Sequence, residues 1–321
     1  MKRFIIGIDI GGTTCKIGLI GTSGILHDKC EILTNLSNNG QHIIKGIWKV
    51  VNEQLNRLNI PKEAIIGIGV GAPGFINHQQ GIVYESVNIG WENYPLTEEL
   101  SRLSQLPVVL ENDANVAAFG EHWQGAGKGT DHLLMITLGT GIGGGIIADG
   151  DILSGASGAA GEIGHLTINP NGVQCNCGRI GCLETIVSSR GIIRQALNKA
   201  KQYPGSSLGR LHRENGKITV PDIFYLASVG ENLSRKIIDH VVDTIGFTLS
   251  QLAIVVNPTC IVIGGGISKA GKPLETGIKK YFQKYALARV RESCQIKLAQ
   301  LRNDAGMIGA ARLMLQHDLS L

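Results

Sequence analysis

Two stretches of this chain share one layout. Residues 4–21, FIIGIDIGGTTCKIGLIG, run from an apolar strand through a Gly/Thr turn into a second apolar strand, and residues 132–150, HLLMITLGTGIGGGIIADG, do the same. Such a repeat predicts a duplicated core, although similarity this short also arises by chance. Between the two stretches the pattern alternates. Ile43, Ile44, Ile47, Val50, Val51, Leu55 and Leu58 fall on one helical face. AIIGIGVGAPG reads as a strand ending at Pro73-Gly74, a short helix follows Pro95, PVVLEND is a further strand, and a helix covers about 115–123. Alternating strands and helices predict an α/β architecture. Later come a helix over about 183–201, a polar, Gly-rich surface loop over 203–217, and a helix over 234–256 stopped by Asn257-Pro258. Strand CIVIGGG and a helix over 307–315 complete the chain.

At 321 residues, 43% of them hydrophobic, the chain is long enough for two domains. The expected division is 1–118 plus about 305–321 against 119–304. Lys and Arg are scattered around a net charge of +4, with no basic run, so a nucleic-acid partner is not indicated. Asp9 interrupts the first apolar run too early for a signal peptide, and Asn257, Pro258 and glycines break the apolar stretch 252–267, so no membrane span is expected. Seven cysteines, three of them clustered, read as reduced thiols plus one metal site in a cytoplasmic protein.

Four glycine-bearing or acidic segments carry candidate chemistry. In Asp9-Ile10-Gly11-Gly12-Thr13-Thr14, with Lys16 close behind, bare backbone and successive N–H groups can cradle a phosphate, and Asp9 can hold Mg²⁺ through water. A plain hairpin turn is the alternative. Gly139-Thr140-Gly141, leading into Gly143-Gly144-Gly145, has the same logic with more glycine than a hairpin needs, so two loops of this kind favour a split phosphate clamp. A bulge or close packing at residues 143–145 is the alternative. Glu111-Asn112-Asp113-Ala114-Asn115 lies at a strand end, where α/β sheets bind ligands. Asp113 is either a helix N-cap, with Asn112 in the turn, or a proton acceptor. Gly264-Gly265-Gly266 is a tight turn or a bare surface for a flat base.

The segment 161–184, GEIGHLTINPNGVQCNCGRIGCLE, is the most specific. His165, Cys175, Cys177 and Cys182 make a closed four-ligand set for zinc; buried free thiols are the alternative. A zinc deaminase would need H-x-E and P-C-x-x-C with an open position, so the metal reads as structural.

Together these motifs resemble the ROK family of sugar kinases and repressors, nearly end to end. The family signature stands here as Glu162-Ile163-Gly164-His165 and Cys175-Asn176-Cys177-Gly178-Arg179-Ile180-Gly181-Cys182-Leu183-Glu184. Among the members, bacterial glucokinases are the most similar. The resemblance implies an actin-like ATPase fold, two ribonuclease-H-like domains with a cleft holding ATP, Mg²⁺ and a hexose. It implies that Asp113 takes the proton of the sugar 6-hydroxyl, and that Gly74, Asn88, Asn112, Asp113, Glu162, His165 and Glu184 bind the sugar. It gives the ATP phosphates to Asp9, Gly11, Gly12, Thr13, Thr14, Lys16, Gly139, Thr140 and Gly141, the adenosine to Gly265 and Gly266, and a structural Zn²⁺ to His165, Cys175, Cys177 and Cys182. It also implies a homodimer. Glucose is the expected sugar, with N-acetylmannosamine, mannose, fructose or allose as alternatives. A repressor is disfavoured because such members carry a helix-turn-helix before the first phosphate loop, and a sensor because no catalytic motif is lost. Zinc is expected to shape the sugar pocket and to leave the ATP contacts alone.

Overall fold

The structure, a computed structural model, describes residues 3–320, with side chains through residue 318. In chain order the elements are β1 (Phe4–Ile10), β2 (Thr14–Gly21), β3 (Leu26–Leu33), α1 (Ile43–Arg57), β4 (Ile65–Ala72), β5 (Phe75–Asn77), β6 (Ile82–Ser86), β7 (Trp91–Tyr94), α2 (Leu96–Ser104), β8 (Val108–Asn112) and α3 (Asp113–Gln124). There follow β9 (Leu133–Leu138), β10 (Ile142–Ala148), β11 (Asp151–Ile152), α4 (Glu184–Val187), α5 (Ser189–Gln202), α6 (Ser207–Asn215), α7 (Val220–Ser228) and α8 (Asn232–Val256). The remainder is β12 (Cys260–Gly264), α9 (Lys272–Tyr285), α10 (Ala288–Ser293), β13 (Gln295–Leu298) and α11 (Ala305–Ser320).

Contacts divide the chain into two units: Met1–Leu133 with Gly145–Gly161 and Gln300–Leu321, and Leu134–Gly144 with Glu162–Ala299. The division expected near residue 118 would cut α3. That helix continues to Gln124 because Glu121, fully buried, ties its last turn to distant backbone. The Glu121 carboxylate accepts the N–H groups of Ala126 (2.8 Å), Gln300 (3.1 Å) and Leu301 (2.7 Å).

In the first unit a five-stranded sheet has the order β3-β2-β1-β4-β8. The β1–β2 and β2–β3 pairs are antiparallel, whereas β1–β4 and β4–β8 are parallel. The second five-stranded sheet, β11-β10-β9-β12-β13, repeats that order, again with an antiparallel second hairpin and a parallel last pair. The boundary between the units runs through β10. The repeated strand–turn–strand sequences thus open two sheets of one topology.

Helix α1 buries Ile43, Ile44, Ile47, Val51 and Leu55 in the first unit's core, as its period requires. Helix α11 approaches the other face more closely than a side chain allows. A Cβ on Gly69 would lie 1.7 Å from the Ala310 carbonyl oxygen, and one on Gly309 would lie 1.7 Å from that of Val116. These glycines are spacers that let backbone meet backbone.

The loop expected over 203–217 is corrected by the structure: most of it is helix α6. Ser206 accepts the Gly209 N–H at 3.1 Å as N-cap, and Gly216, at φ 69°, ends the helix. The helix expected over 183–201 is broken at Ser188, whose extended backbone and side-chain bond to the Gly191 N–H start α5 afresh. Among the described residues, α8 is the one helix long and apolar enough to cross a membrane. Its buried Ile237, Val241, Ile245 and Leu249 form a core-facing stripe, and Asp239 and Asp243 accept the hydroxyls of Tyr281 and Tyr285 on α9.

Candidate active site

The first unit places the β1–β2 turn at the end of the central strand. Gly11 N–H closes it on the Thr14 carbonyl at 2.9 Å, and Thr34 donates its hydroxyl to the Gly11 carbonyl at 2.6 Å and its N–H to that of Thr13 at 2.9 Å. The turn is therefore braced from behind, with Gly12 and Thr13 on its outer side. Asp9 and Lys16 face each other across the hairpin, with Nζ 3.6 Å from Oδ2. Burial pushes the Asp9 carboxyl above its ordinary range, with Lys16 pulling it back. A partly buried carboxylate paired with Lys16 through one oxygen keeps its other oxygen for a further cation or its water, so the residues present fit Mg²⁺ at Asp9.

Asn88 lies beside this turn, since a Cβ on Gly12 would be 3.6 Å from that of Asn88. Asn112, not Asp113, is the N-cap of α3: its side-chain oxygen accepts the N–H groups of Ala114 (2.9 Å) and Asn115 (3.3 Å). Its amide also donates to the Gly74 carbonyl at 3.1 Å, which leaves one amide hydrogen for a ligand. Gly74 has φ 107°, and a Cβ there would strike the Glu85 carbonyl at 2.0 Å, so no other residue fits. Asp113 is the first residue of α3, half-buried, and its Oδ1 accepts the Ala114 N–H at 2.8 Å.

Glu111, which the sequence marks only as part of its segment, has a role of its own. This residue is 4% exposed, accepts the Asn112 N–H at 2.8 Å and the Asn115 amide at 3.1 Å through Oε1, and accepts the Ser154 hydroxyl at 2.9 Å through Oε2. It thereby fixes the turn from which Asp113 projects. A carboxylate directly before Asn-Asp was the available signal; its partner Ser154, 43 residues on, was not.

In the second unit Glu162, His165 and Glu184 come together. His165 Nε2 lies 4.0 Å from Glu162, and its Nδ1 lies 3.7 Å from Cys175 Sγ. The ring thus turns one nitrogen to the thiols and the other to the carboxylate. Burial raises the Glu162 carboxyl, His165 lowers it, and Glu184 raises it again. The ligand atoms of His165, Cys175, Cys177 and Cys182 all lie within 4.8 Å of one another, and the Cys177 and Cys182 sulfurs are 3.6 Å apart. Tetrahedral zinc with bonds of about 2.3 Å to sulfur needs edges of about 3.8 Å, so the donor set fits zinc. Burial and the neighbouring sulfurs push the Cys182 thiol up to about 12, a penalty that a bound cation removes. Gly178 and Gly181, at φ 83° and 76°, supply the reversals that bring the sulfurs together.

The turn at Gly139, Thr140 and Gly141 links β9 to β10, with Gly139 N–H on the Gly141 carbonyl at 3.0 Å. Gly265 packs against the end of β9: a Cβ there would be 2.4 Å from the Leu138 carbonyl oxygen. Gly266 next to it meets nothing within 4 Å.

Residues 5–317 carry the sequence pattern of the ROK family. The chain belongs to the ROK family. It is 44% identical to a glucokinase of Halalkalibacterium halodurans over 320 residues, covering 99% of this chain and 97% of that one. A ROK family glucokinase from Streptomyces griseus, solved with glucose and AMPPNP, matches with TM-score 0.81 and 32% identity over 98% of this chain and 99% of its own. A xylose repressor of Caldicellulosiruptor bescii is 29% identical across 98% of this chain and 79% of its own length. The ROK fold here is the actin-like ATPase fold, seen in the strand order shared by the two sheets.

Proposed function

We propose that this ROK protein is an ATP-dependent hexose kinase, a glucokinase that converts glucose to glucose 6-phosphate. The observation that carries the reading is the full-length match to a glucokinase solved with glucose and AMPPNP. The geometry within each unit supports it. Asp113, held at the head of α3 by the Asn112 cap, accepts the proton of the sugar 6-hydroxyl as the hydroxyl oxygen attacks the γ-phosphorus and the bond to the β–γ bridging oxygen breaks, releasing ADP. Asn88, Asn112, Gly74, Glu162, His165 and Glu184 are the groups assigned to hydrogen-bond the ring hydroxyls. Gly12, Thr13 and Thr14 with Lys16, and Thr140 and Gly141, direct donors at phosphate oxygens, while Gly11 and Gly139, whose N–H groups close the two turns, let the backbone approach. Gly265 and Gly266 offer bare backbone to the adenosine. Mg²⁺ at Asp9 supplies neutralising charge for the phosphates when bound. Zinc on His165, Cys175, Cys177 and Cys182 holds the knuckle and orients the His165 ring.

The protein acts in the cytoplasm as a homodimer in this reading, and size-exclusion chromatography with light scattering tests the oligomeric state. The deciding experiment for the function is an ADP-release assay across glucose, mannose, N-acetylmannosamine, N-acetylglucosamine, fructose and allose. A preference for glucose supports the assignment. Preference for another hexose changes the substrate, and inactivity on all of them with zinc and Mg²⁺ present removes the kinase reading.

A further inference from the structure

The turn at residues 139–141 is tied by two hydrogen bonds to the helices α4 and α5 that follow the Cys/His knuckle. Glu184, first residue of α4, accepts the Ile142 N–H through Oε2 at 2.9 Å. Ser189, first residue of α5, donates its N–H to the Gly139 carbonyl at 2.8 Å. The fit is close, because a Cβ on Gly141 would lie 2.7 Å from the same Glu184 oxygen. Glu184 is two residues from Cys182, and the path between them is rigid. Cys182 and Leu183 are fully buried, the Leu183 N–H bonds the Leu166 carbonyl at 2.8 Å, and the Thr185 hydroxyl bonds the Cys182 carbonyl at 2.7 Å.

We propose that Glu184 is a positioning residue for the nucleotide loop, so that ordering the Cys/His knuckle and ordering the loop are one event. This rests on reading residues 139–141 as a phosphate loop. A carboxylate that accepts a backbone N–H at the loop's exit fixes the direction of the neighbouring N–H groups, and donors fixed in advance bind phosphate at lower cost. The knuckle then acts on the nucleotide as well as on the sugar, and it does so with no sugar present.

The test is the binding of Mg²⁺-AMPPNP without sugar, by calorimetry, alongside amide hydrogen exchange at Ile142. In Glu184→Gln the side-chain carbonyl still accepts the Ile142 N–H, so affinity should stay within about twofold of the parent and Ile142 should remain protected. In Glu184→Ala the bond is lost, and affinity should fall about tenfold with Ile142 exchanging freely. Glu184→Asp, one methylene too short, should resemble Ala, and serves if the Ala variant does not fold. Protein stripped of metal by a chelator should show the same loss of affinity and of Ile142 protection. Folded Ala, Asp or metal-stripped protein that binds Mg²⁺-AMPPNP as the parent does overturns the proposal while leaving the phosphate-loop reading intact. A parent protein that binds no Mg²⁺-AMPPNP overturns both.

Discussion

Gly306 cedes its side-chain position to the Asp9 carboxylate: a Cβ built on it would lie 2.5 Å from Asp9 Cγ. The first turn of α11 therefore sets where that carboxylate points. Gly306→Ala should displace it and reduce kcat/KM for ATP by about 10- to 100-fold, with a smaller effect on the sugar KM. Steady-state kinetics with each substrate varied in turn decide this.

Asp9 also sets a pH dependence of stability. Burial raises its carboxyl above the ordinary range, so the folded protein holds this proton more tightly than the unfolded chain does. The contribution is intact below the unfolded carboxylate pKa of about 3.9 and is lost as pH rises through the folded value. Asp9→Asn escapes that loss. The variant should melt higher than the parent at pH 7, with the gap shrinking toward pH 4, and should have little activity. Thermal melts across pH would refute the argument if the gap were constant.

Asp113→Asn should lower kcat by about 10²- to 10⁴-fold while leaving sugar affinity largely unchanged, because the Asn112 cap that positions α3 is untouched. Near-normal kcat in the variant would remove Asp113 as the base.

Metal removal, or Cys177→Ser, should lower the melting temperature and raise the sugar KM by about tenfold or more, since the ion that would hold the His165 ring is lost or weakly bound. Titrating zinc back into the stripped parent should restore both. The Ser variant should recover less.

Glu121 is a buried carboxylate that serves backbone alone. Glu121→Ala strands the N–H groups of Ala126, Gln300 and Leu301, and should cost about 3–5 kcal/mol in urea unfolding. A loss under 1 kcal/mol would mean that water or a neighbour replaces the carboxylate.

What the sequence made legible follows from range. Helix α1 declared itself because seven apolar residues obey one period, and the knuckle because its four ligands lie within eighteen residues. Helix α6 was hidden because Leu208 is its one large buried side chain, and its caps, Ser206 and Gly216, are also loop residues. The sequence leaves the N-cap open at Asp113 because Asn112 and Asp113 are both good caps, and only the backbone, extended at Asn112, separates them. The bonds Glu111–Ser154, Glu184–Ile142 and Glu121–Leu301 join residues 42 to 180 positions apart, and no local pattern marks them.

The glycine-spaced seat of α11 has a consequence for biosynthesis. Residues 305–318 cover strands made about 240 or more residues earlier, at roughly 5–20 residues per second of synthesis. The part of β1 and β4 that α11 covers stays open for that interval, through the production of the whole second unit. This protein's first unit is begun first and completed last, so a chain ending before Ala305 would expose the strip of its oldest sheet that α11 seals, a target for chaperones and proteases.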